Sequence, residues 1–437
     1  MKYAIPVISV LTFALVPGSS PARDEPVSPK YAIKAGKIVT LSPAEGSGAS
    51  GRVINHGLVL VSGGKIEALG PASSIRVPEG YVLIDASDRW VMPGIVEAHT
   101  HIGSEDHNDM VTPINPELRI ADCVNLEDIA VKKAVTGGVT TIHTMPGSGS
   151  NLAGFSVIVK LDSSSPEKMI VRELGAMKIA QAYNPERRSG DLGRTRMGMS
   201  WSLRQMLKRA KAYTDAWNAY QRGESNEKPD YKPELEKMRT VFRGEIPVIV
   251  HTYEGWGVMQ TARMFGDENN LPTIATHTAY NGHMVAKEVA KRENVFINVG
   301  PRLFDFSAAR NNRFYGLAAE YYSGGVRNLS INTDSVGWYS FMATQEELAF
   351  QASMSARLGL DEEIALRAIT INPARALGID DRVGSLEVGK DADIVIKKGS
   401  LLDVTTPVDL VLINGKIVYQ RNGVELVPGR KRGQPKE

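Results

Sequence analysis

Short apolar runs alternate with amphipathic stretches from about residue 94 to residue 382. Apolar runs of about four to eight residues are typical of buried strands, and spacings of three to four residues indicate helices. The candidate strands are Ile95–His101, Val139–Met145, Phe155–Leu161, Ala176–Ala182, Ile246–His251, Pro272–His277, Val295–Val299 and Leu329–Asn332. Candidate helices lie between most of these strands, and a charged helical insertion occupies Leu203–Gly244. Eight strands with helical crossovers predict an α/β fold, a (β/α)8 barrel.

Both ends of the mature chain follow another pattern, in which apolar and polar residues alternate as in half-buried strands. Such strands are predicted over Tyr31–Leu41, Gly57–Leu69, Ala392–Lys397, Leu410–Asn414 and Lys416–Tyr419. The pair Asn414-Gly415 favours a tight hairpin, because both residues tolerate positive φ. We therefore expect a small composite β-sandwich domain, built from both termini over residues 30–92 and 383–425. It would accompany a barrel over residues 93–382 and a flexible tail over residues 426–437.

The first residues indicate an export signal. Lys2 precedes an apolar run from Ala4 to Val16 and a small-residue stretch that ends at Ala22. This order is typical of a secretory signal peptide, and the run is shorter than the roughly 20 apolar residues that a transmembrane helix needs. A buried N-terminal strand is the alternative, but acidic and proline residues follow at once. We predict a signal peptide over residues 1–22 and a periplasmic or secreted mature protein.

Composition narrows the class of protein further. The 437 residues are 42% hydrophobic and 23% charged, which excludes a disordered chain and a polytopic membrane protein. Lys and Arg number 51 against 49 acidic residues, so no strong field for nucleic acid or a membrane follows. Cys123 is the sole cysteine, so no intrachain disulfide can form. We expect a small-molecule or short-peptide substrate, no nucleic acid and no membrane anchor; a homo-oligomer is compatible with the sequence.

The strong polar signals lie at the C-terminal ends of candidate strands, where barrel active sites form. His99 and His101 end the first strand, and residues two apart on a strand point to the same face. His251, His277 and Asp334 end the fifth, sixth and eighth strands. A lone histidine in such a place is usually structural, but four of the eight histidines converge here with an aspartate. Imidazole and carboxylate ligands suit Zn²⁺ first, and then Mn²⁺, Fe²⁺ or Co²⁺.

Several motifs resemble the metal-dependent amidohydrolase superfamily. They are Val91–His101, Gly138–Thr141, Thr370–Ala374 and Arg382–Asp393. Within that superfamily, the chain most resembles the exported imidazolonepropionase-like branch, which also contains dipeptidases and N-acyl amino acid hydrolases. The resemblance covers nearly the whole mature chain. It implies a barrel with a composite β domain and metal ligands of the His-x-His, Lys, His, His, Asp type.

Carried over residue by residue, the resemblance implies that His99, His101 and Asp334 hold one ion and that His251 and His277 hold a second. It also implies two zinc ions bridged by a carbamylated lysine at the end of the fourth strand. Two lysines compete for that role. Strand order favours Lys178 over Lys160, and either side chain could instead be a surface lysine.

Four other side chains are candidates for binding the substrate, and each has a plainer alternative. His143 ends the second strand, where an orienting hydrogen bond is equally compatible with the sequence. Tyr253 and Tyr280 follow two of the strand-end histidines, although buried loop tyrosines are common. Arg302 follows the seventh strand and could bind a substrate carboxylate bidentately, or form a surface salt bridge.

These residues together predict a hydrolase that cleaves a C–N amide bond with metal-activated hydroxide. Asp334 would act as general base and then as general acid. The expected substrate is a dipeptide or an N-acyl amino acid. The alternatives are a cyclic amide hydrolase or a deaminase, which the same metals could serve, and, more remotely, a non-catalytic barrel scaffold.

Overall fold

A computed structural model describes residues 29–42, 53–105, 107–162, 169–186, 195–307, 312–336, 346–421 and 426–427. The predicted signal peptide and residues 428–437 of the predicted tail lie outside these ranges. Within them, no helix combines the length and the apolar character needed to cross a membrane.

Strands and helices alternate through most of the described chain. The strands are β1 Tyr31–Val39, β2 Val53–Ser62, β3 Lys65–Pro71, β4 Val82–Pro93, β5 Ile95–Thr100, β6 Val139–Thr144, β7 Leu152–Phe155, β8 Val157–Lys160, β9 Ile170–Arg172, β10 Met177–Ala180, β11 Val248–Thr252, β12 Thr273–His277, β13 Val295–Val299, β14 Phe304–Ser307, β15 Arg313–Gly316, β16 Leu329–Ile331, β17 Ile394–Lys397, β18 Val408–Ile413, β19 Lys416–Gln420 and β20 Leu426–Val427. The α-helices are α1 Ile129–Thr136, α2 Arg196–Gln221, α3 Pro233–Glu236, α4 Met238–Phe242, α5 Glu254–Thr261, α6 Ala286–Val289, α7 Leu317–Ser323, α8 Glu346–Arg357, α9 Glu362–Arg367 and α10 Ile371–Ala376. Other helical turns cover Ala72–Ser74, Ile120–Cys123, Ala262–Asp267 and Gly282–Val285.

A six-stranded sheet in the order β16-β13-β12-β11-β10-β7 carries most of the predicted site. Its strands are parallel except for β7, and every residue of β11 and β12 is buried. Thr252 on β11 pairs with His277 on β12, so the ends of these strands meet at one edge. Strands buried on both faces need continuous apolar runs, which explains why the sequence pattern located them.

A four-stranded sheet in the order β5-β6-β8-β9 lies beside the first. The predicted third strand over Phe155–Leu161 is found as β8 over Val157–Lys160, whereas its first residue, Phe155, ends β7 in the other sheet. Ser156 separates them, and its hydroxyl accepts from Ala176 N at 2.7 Å and bonds Ala176 O at 3.0 Å. These bonds turn the chain from one sheet to the other. Both strands run antiparallel to a neighbour, β7 to β10 and β8 to β6.

The opposite edges of the two sheets also approach each other, next to the predicted site. The backbone amide of Asp334 donates to His99 O at 3.2 Å, and the amide of His101 donates to Ser335 O at 2.8 Å. The loop after β16 is therefore held against the end of β5, although the described strands form two separate ladders.

Both ends of the chain contribute to one eight-stranded sheet. Its order is β19-β18-β17-β4-β1-β2-β3, with β20 also paired to β4. Asn414 and Gly415 have φ of 48° and 70° and join β18 to β19, which confirms the predicted hairpin. The charged insertion is also helical, as predicted, and consists of α2, α3 and α4. Its apolar residues, such as Leu207 and Met238, pack with those of β10 and β11.

Candidate metal centre

The structure brings all five predicted strand-end ligands together. The Oδ1 atom of Asp334 lies 3.2 Å from His99 Nε2 and 3.4 Å from His101 Nε2. The ring centroids of His99 and His277 are 4.9 Å apart, and those of His251 and His277 are 4.5 Å apart. One ligand atom from each of His99, His277 and Asp334 lies within 4.8 Å of the other two, a spacing that can hold a metal ion. His277 therefore groups with two of the residues that were predicted to hold the first ion, His99 and Asp334.

Backbone carbonyls orient two of the imidazole rings. His101 Nδ1 lies 2.8 Å from Met145 O, and His277 Nδ1 lies 2.8 Å from Gly300 O. Each ring therefore donates from Nδ1 and presents Nε2 to the site, as metal-ligating histidines usually do. Gly300 has φ of 135°, and a Cβ atom there would lie 2.1 Å from the Asn332 carbonyl oxygen, so only glycine fits at this position.

The loops of the site hold an unusual backbone conformation. A non-glycine residue with positive φ is strained, and such strain gathers at functional sites. In the described part of the chain, eleven non-glycine residues have positive φ. Six of the eleven lie here: Tyr183, Glu254, His277, Thr278, Tyr280 and Asp334. The positions of these side chains are therefore imposed by the fold.

The donor atoms fit a divalent metal ion. Both ring nitrogens of His251 and Nε2 of His277 are buried and, among the described residues, have no hydrogen-bond partner. Such unpaired buried atoms are destabilising unless a ligand satisfies them. Burial lowers the pKa of His251 and His277, and burial together with Lys178 lowers the pKa of His99. The rings are thus neutral at neutral pH, which is the form that binds a metal.

Asp334 remains ionised within this group. Burial alone would raise its pKa, but the neighbouring His277, His101 and His99 lower the pKa well below the usual range. Its side chain is 27% exposed, so the carboxylate faces both the histidines and the open side of the site. A carboxylate in this position can contact a metal and an attacking water together.

Lys178 lies inside the same group, on β10. Its side chain is fully buried, with Nζ 3.3 Å from His99 Nε2 and 3.5 Å from Met145 Sδ. Among the described residues it forms no ion pair within 4 Å, and burial lowers its pKa to about 7 despite the charge of Asp334. A buried lysine without a carboxylate partner is costly to protonate.

Lys160, the competing lysine, lies elsewhere and has partners. Its buried Nζ donates to Asp391 at 2.7 Å, to Asp393 at 2.9 Å and to Asn414 at 2.7 Å. Asp391 and Asn414 belong to the segments before and after the C-terminal strands β17 and β18. Lys160 therefore ties β8 to the eight-stranded sheet, and the geometry supports Lys178 as the lysine of the site.

His143 is buried, and both of its ring nitrogens are bonded to protein. Its Nδ1 lies 2.9 Å from Ala98 O, and its Nε2 lies 2.5 Å from Ser156 Oγ. Burial lowers its pKa to about 3, so the ring is neutral. This arrangement supports the orienting alternative for His143 over contact with a substrate.

Tyr253 and Tyr280 lie at the site, as predicted. The Tyr253 ring stacks on His277 with a centroid distance of 5.2 Å and an interplanar angle of 9°, and Tyr280 lies 5.5 Å from Tyr253. Arg302 lies over Tyr280 at 4.8 Å, but its Nε is bonded to Asp305 at 2.5 Å. Because Asp305 uses this edge of the guanidinium, the salt-bridge alternative for Arg302 fits better than bidentate binding of a substrate carboxylate.

Sequence reasoning missed Glu97, which joins the first and last strands of the site. Its carboxylate accepts from His99 N at 2.9 Å, Thr333 N at 3.0 Å and Thr333 Oγ1 at 2.8 Å. Burial raises its pKa to about 8, although these hydrogen bonds act in the opposite direction. The available signal was an acidic residue inside a predicted buried strand, two positions before His99.

Three other neighbours of the ligands were also missed. Thr276 Oγ1 lies 2.9 Å from His99 Nδ1 and so orients that ring. His107 stacks on His101 at 5.0 Å, and Tyr183 lies 5.2 Å from Tyr253. His107 and Tyr183 lie on loops, where no periodic pattern marks a residue. Thr276 precedes His277 on the same strand. The alternation of side chains along a strand places it on the opposite face from His277, so the sequence pattern assigns it no function.

Comparisons with known proteins agree with this geometry. The profile of the Amidohydrolase family matches residues 90–418. The solved structure of an amidohydrolase from Thermotoga maritima MSB8 superposes with a TM-score of 0.77 at 27% identity, over 90% of this chain and 100% of that chain.

Two relatives of known name are also similar in sequence. The amidohydrolase tasK of Hapsidospora irregularis is 27% identical over 405 residues, 83% of this chain but only 39% of tasK. This chain therefore spans well under half the length of that relative. An imidazolonepropionase of Thermoplasma acidophilum is 23% identical over 403 residues, 84% of this chain and 90% of the relative.

Proposed function

We propose, from the premise that this chain belongs to the amidohydrolase family, that it hydrolyses the C–N amide bond of a dipeptide or an N-acyl amino acid. The family and its named relatives support a metal-dependent hydrolase acting on carbon–nitrogen bonds. The observation that carries the proposal is the convergence of four buried histidines on Asp334 and Lys178. Three ring nitrogens of His251 and His277 are buried there without a partner among the described residues, which a structural role does not require.

We assign the binding of two divalent ions, zinc first, to this site. His99, His101 and Asp334 would hold one ion, and His251 and His277 the other. Lys178, whose pKa burial lowers to about 7, would add carbon dioxide at Nζ with loss of a proton, and the resulting carbamate would supply a further oxygen ligand to the site. Divalent metal there supplies Lewis-acid activation of a water molecule and of the scissile carbonyl.

The chain's own residues supply the rest of the chemistry. The Oδ1 atom of Asp334 accepts a proton from the attacking water and delivers it to the leaving nitrogen, which is general base and then general acid catalysis. Met145 O and Gly300 O fix the rings of His101 and His277 throughout. Fixed ligands avoid reorganisation during the reaction, which favours the transition state.

The second candidate is hydrolysis of a cyclic amide. The similarity to an imidazolonepropionase over 84% of this chain favours it, because the same metals and carboxylate could open a ring. A deaminase is a further outcome, which released ammonia would reveal. Substrate preference depends on loops that vary independently of a metal site.

The architecture and location complete the proposal. We infer that the two site-bearing sheets are parts of one (β/α)8 barrel over residues 93–382, and that the eight-stranded sheet belongs to a composite β-sandwich domain. We also infer export by cleavage after Ala22. N-terminal sequencing of the protein from the periplasm or medium of its native host would test the cleavage, and a cytoplasmic location would contradict it.

Metal analysis and a substrate panel together test the function. Protein purified without chelators should contain one to two transition-metal ions per chain, and should hydrolyse dipeptides or N-acyl amino acids faster than cyclic amides and lactones. The double variant His99→Ala/His101→Ala should lose at least one ion and activity. The matched variant His56→Ala, at an exposed position on β2, should keep both. Full activity in metal-free protein would refute the proposal.

A further inference from the structure

Three tyrosine rings form a continuous cluster on the metal-ligating histidines. We call Tyr183, Tyr253 and Tyr280 the tyrosine cup. Their centroids are separated by 5.2 Å between Tyr183 and Tyr253, 5.5 Å between Tyr253 and Tyr280, and 6.4 Å between Tyr183 and Tyr280. Tyr253 is the base of the cup, because its ring stacks on His277 and lies edge-on to His251 at 5.0 Å. A group bound in the cup would therefore lie beside the reacting bond.

The two upper rings are exposed although they are large. Tyr183 is 45% exposed and Tyr280 is 41% exposed, whereas Tyr253 is partly buried. Single exposed aromatic rings are ordinary on a protein surface. Two such rings in one cluster with the ligands of a metal centre mark a surface available to a substrate.

The backbone holds these rings in place. Tyr183 and Tyr280 follow different strands, β10 and β12, and have φ of 56° and 58°. Glu254, which follows β11, has φ of 59° and accepts a hydrogen bond from the Tyr183 hydroxyl at 3.1 Å. Tyr183 N also donates to Glu186 at 3.0 Å. Strained backbone at three loops is retained only where the surroundings impose it, so the cup is a built feature.

The charges around the cup are already paired within the protein. Arg196 lies 5.5 Å from the Tyr183 ring and is bonded to Glu186 at 2.6 Å, with Glu254 at 3.6 Å. On the other side, Arg302 lies over Tyr280 and is paired with Asp305. Among the described residues around the cup, these cations and anions are therefore occupied by one another. The exposed ring surface is the recognition element that the described residues offer.

We propose that the tyrosine cup binds an apolar side chain, preferably aromatic, on the substrate residue next to the scissile amide. The inference rests on the proposed function, since it names the substrate class of that same site. Offset or edge-on stacking against the cup would add to the burial of apolar surface. Small side chains would leave the exposed rings of Tyr183 and Tyr280 in water, and charged side chains would find no unpaired opposite charge among the described residues of the cup.

The test compares four substrates that differ only in the side chain: N-acetyl-L-phenylalanine, N-acetyl-L-alanine, N-acetyl-L-lysine and N-acetyl-L-glutamate. We expect kcat/KM for the phenylalanine substrate to exceed that for the alanine substrate by about 10- to 100-fold, as for other apolar pockets. Tyr183→Ala and Tyr280→Ala should each reduce this ratio by about 3- to 10-fold. Tyr183→Phe keeps the ring, so the phenylalanine-to-alanine ratio of kcat/KM should not change. Tyr231→Ala, at an exposed tyrosine outside the cup, is the matched control and should also leave this ratio unchanged.

A binding measurement separates this inference from the proposed function. Binding of L-phenylalanine and L-alanine to the purified enzyme, measured by calorimetry, requires no hydrolysis. Preferential binding of phenylalanine that Tyr280→Ala abolishes would support the cup even if no amide were cleaved, and the proposed function alone would fail. Equal use of all four substrates, a preference for lysine or glutamate, or ratios unchanged in both alanine variants would overturn the cup.

Discussion

Lys178 and Lys160 each lie in a buried cluster of charged and polar side chains. The site cluster consists of His99, His101, Lys178, His251, His277 and Asp334. The clamp consists of Lys160, Asp391, Asp393 and Asn414. The ammonium of Lys160 has three oxygen acceptors within 2.9 Å, whereas that of Lys178 has a histidine nitrogen at 3.3 Å and a sulfur at 3.5 Å.

The difference separates two uses of a buried charge. A lysine with all its donors paired is compensated, and its removal leaves a buried carboxylate such as Asp393 without that cation, so it acts in stability. A buried lysine that lacks such partners lowers the stability of the fold and is retained where chemistry needs it. Burial is similar for both lysines, at 1% and 0% exposed. The partners, and not the burial, distinguish the two roles.

The largest effect is expected where the site cluster loses its carboxylate. Asp334→Asn keeps the shape and one coordinating oxygen but loses basicity. General acid–base groups contribute about 10²–10⁴-fold, so kcat should fall by roughly that factor while metal remains bound. The matched variant Asp393→Asn in the clamp should change kcat little. A near-normal kcat for Asp334→Asn at full metal occupancy would remove Asp334 from the proposed role.

Substitutions in the clamp should lower the stability of the protein and leave its kcat nearly unchanged. Lys160→Met leaves Asp391, Asp393 and Asn414 without their shared donor. Breaking a buried ion pair from one side costs about 3–5 kcal/mol, so the free energy of unfolding in urea should fall by about that amount. The kcat of the folded fraction should stay within about twofold of the wild-type value, since the clamp makes no contact with the ligands. Loss of metal in Lys160→Met would show that the clamp also supports the metal site. The two lysines would then not have separate roles.

The reverse outcome is expected for the other lysine. Lys178→Met places an apolar chain of similar length in a buried site, so the free energy of unfolding of metal-free protein should be unchanged or higher. Metal affinity should weaken by about 10- to 100-fold or more, in line with the loss of groups that support a metal site. Elemental analysis and kcat measure this loss. Partial recovery of activity in Lys178→Ala with added acetate or propionate would sharpen the assignment of a bridging carboxylate.

The sequence predicts the site better than it predicts the chain path around it. His99, His251, His277 and Asp334 end apolar strands, and strand ends at one sheet edge converge whatever the loops do. From the sequence, Lys178 and Lys160 could be ranked only by strand order. The carboxylates that pair with Lys160, on Asp391 and Asp393, lie about 230 residues further along the chain. The break at Ser156 was invisible, since a serine inside an apolar run looks like a tolerated strand residue.

The loops around the site were the least predictable part. Tyr183 and His107 reach it by non-periodic segments, and the positive φ of Tyr183 follows from tertiary contacts and not from local preference. Glu97 could have been singled out, because an acidic residue in a fully buried strand requires donors. Its donors are backbone amides of His99 and Thr333. Thr333 is far away in the sequence, so only the folded structure shows that it lies next to Glu97.

The smallest expected effect is the acid sensitivity of the clamp. Burial would raise the pKa of Asp391, but Lys160, Lys65 and Arg382 lower it to about 2 from the usual 3.8. Because the folded-state pKa is depressed, the stabilisation is complete well above pH 3.8 and is lost as pH falls towards 2. Linkage gives a loss of about 1 kcal/mol in the free energy of unfolding between pH 5 and pH 3 from this group alone.

Urea unfolding at both pH values tests this. Asp391→Asn should be less stable than wild type at pH 5, but its free energy of unfolding should fall by about 1 kcal/mol less than that of wild type between pH 5 and pH 3. An identical loss in both proteins would mean that the clamp leaves the Asp391 carboxyl unperturbed, and its stabilising role would then rest on Asp393 and Asn414.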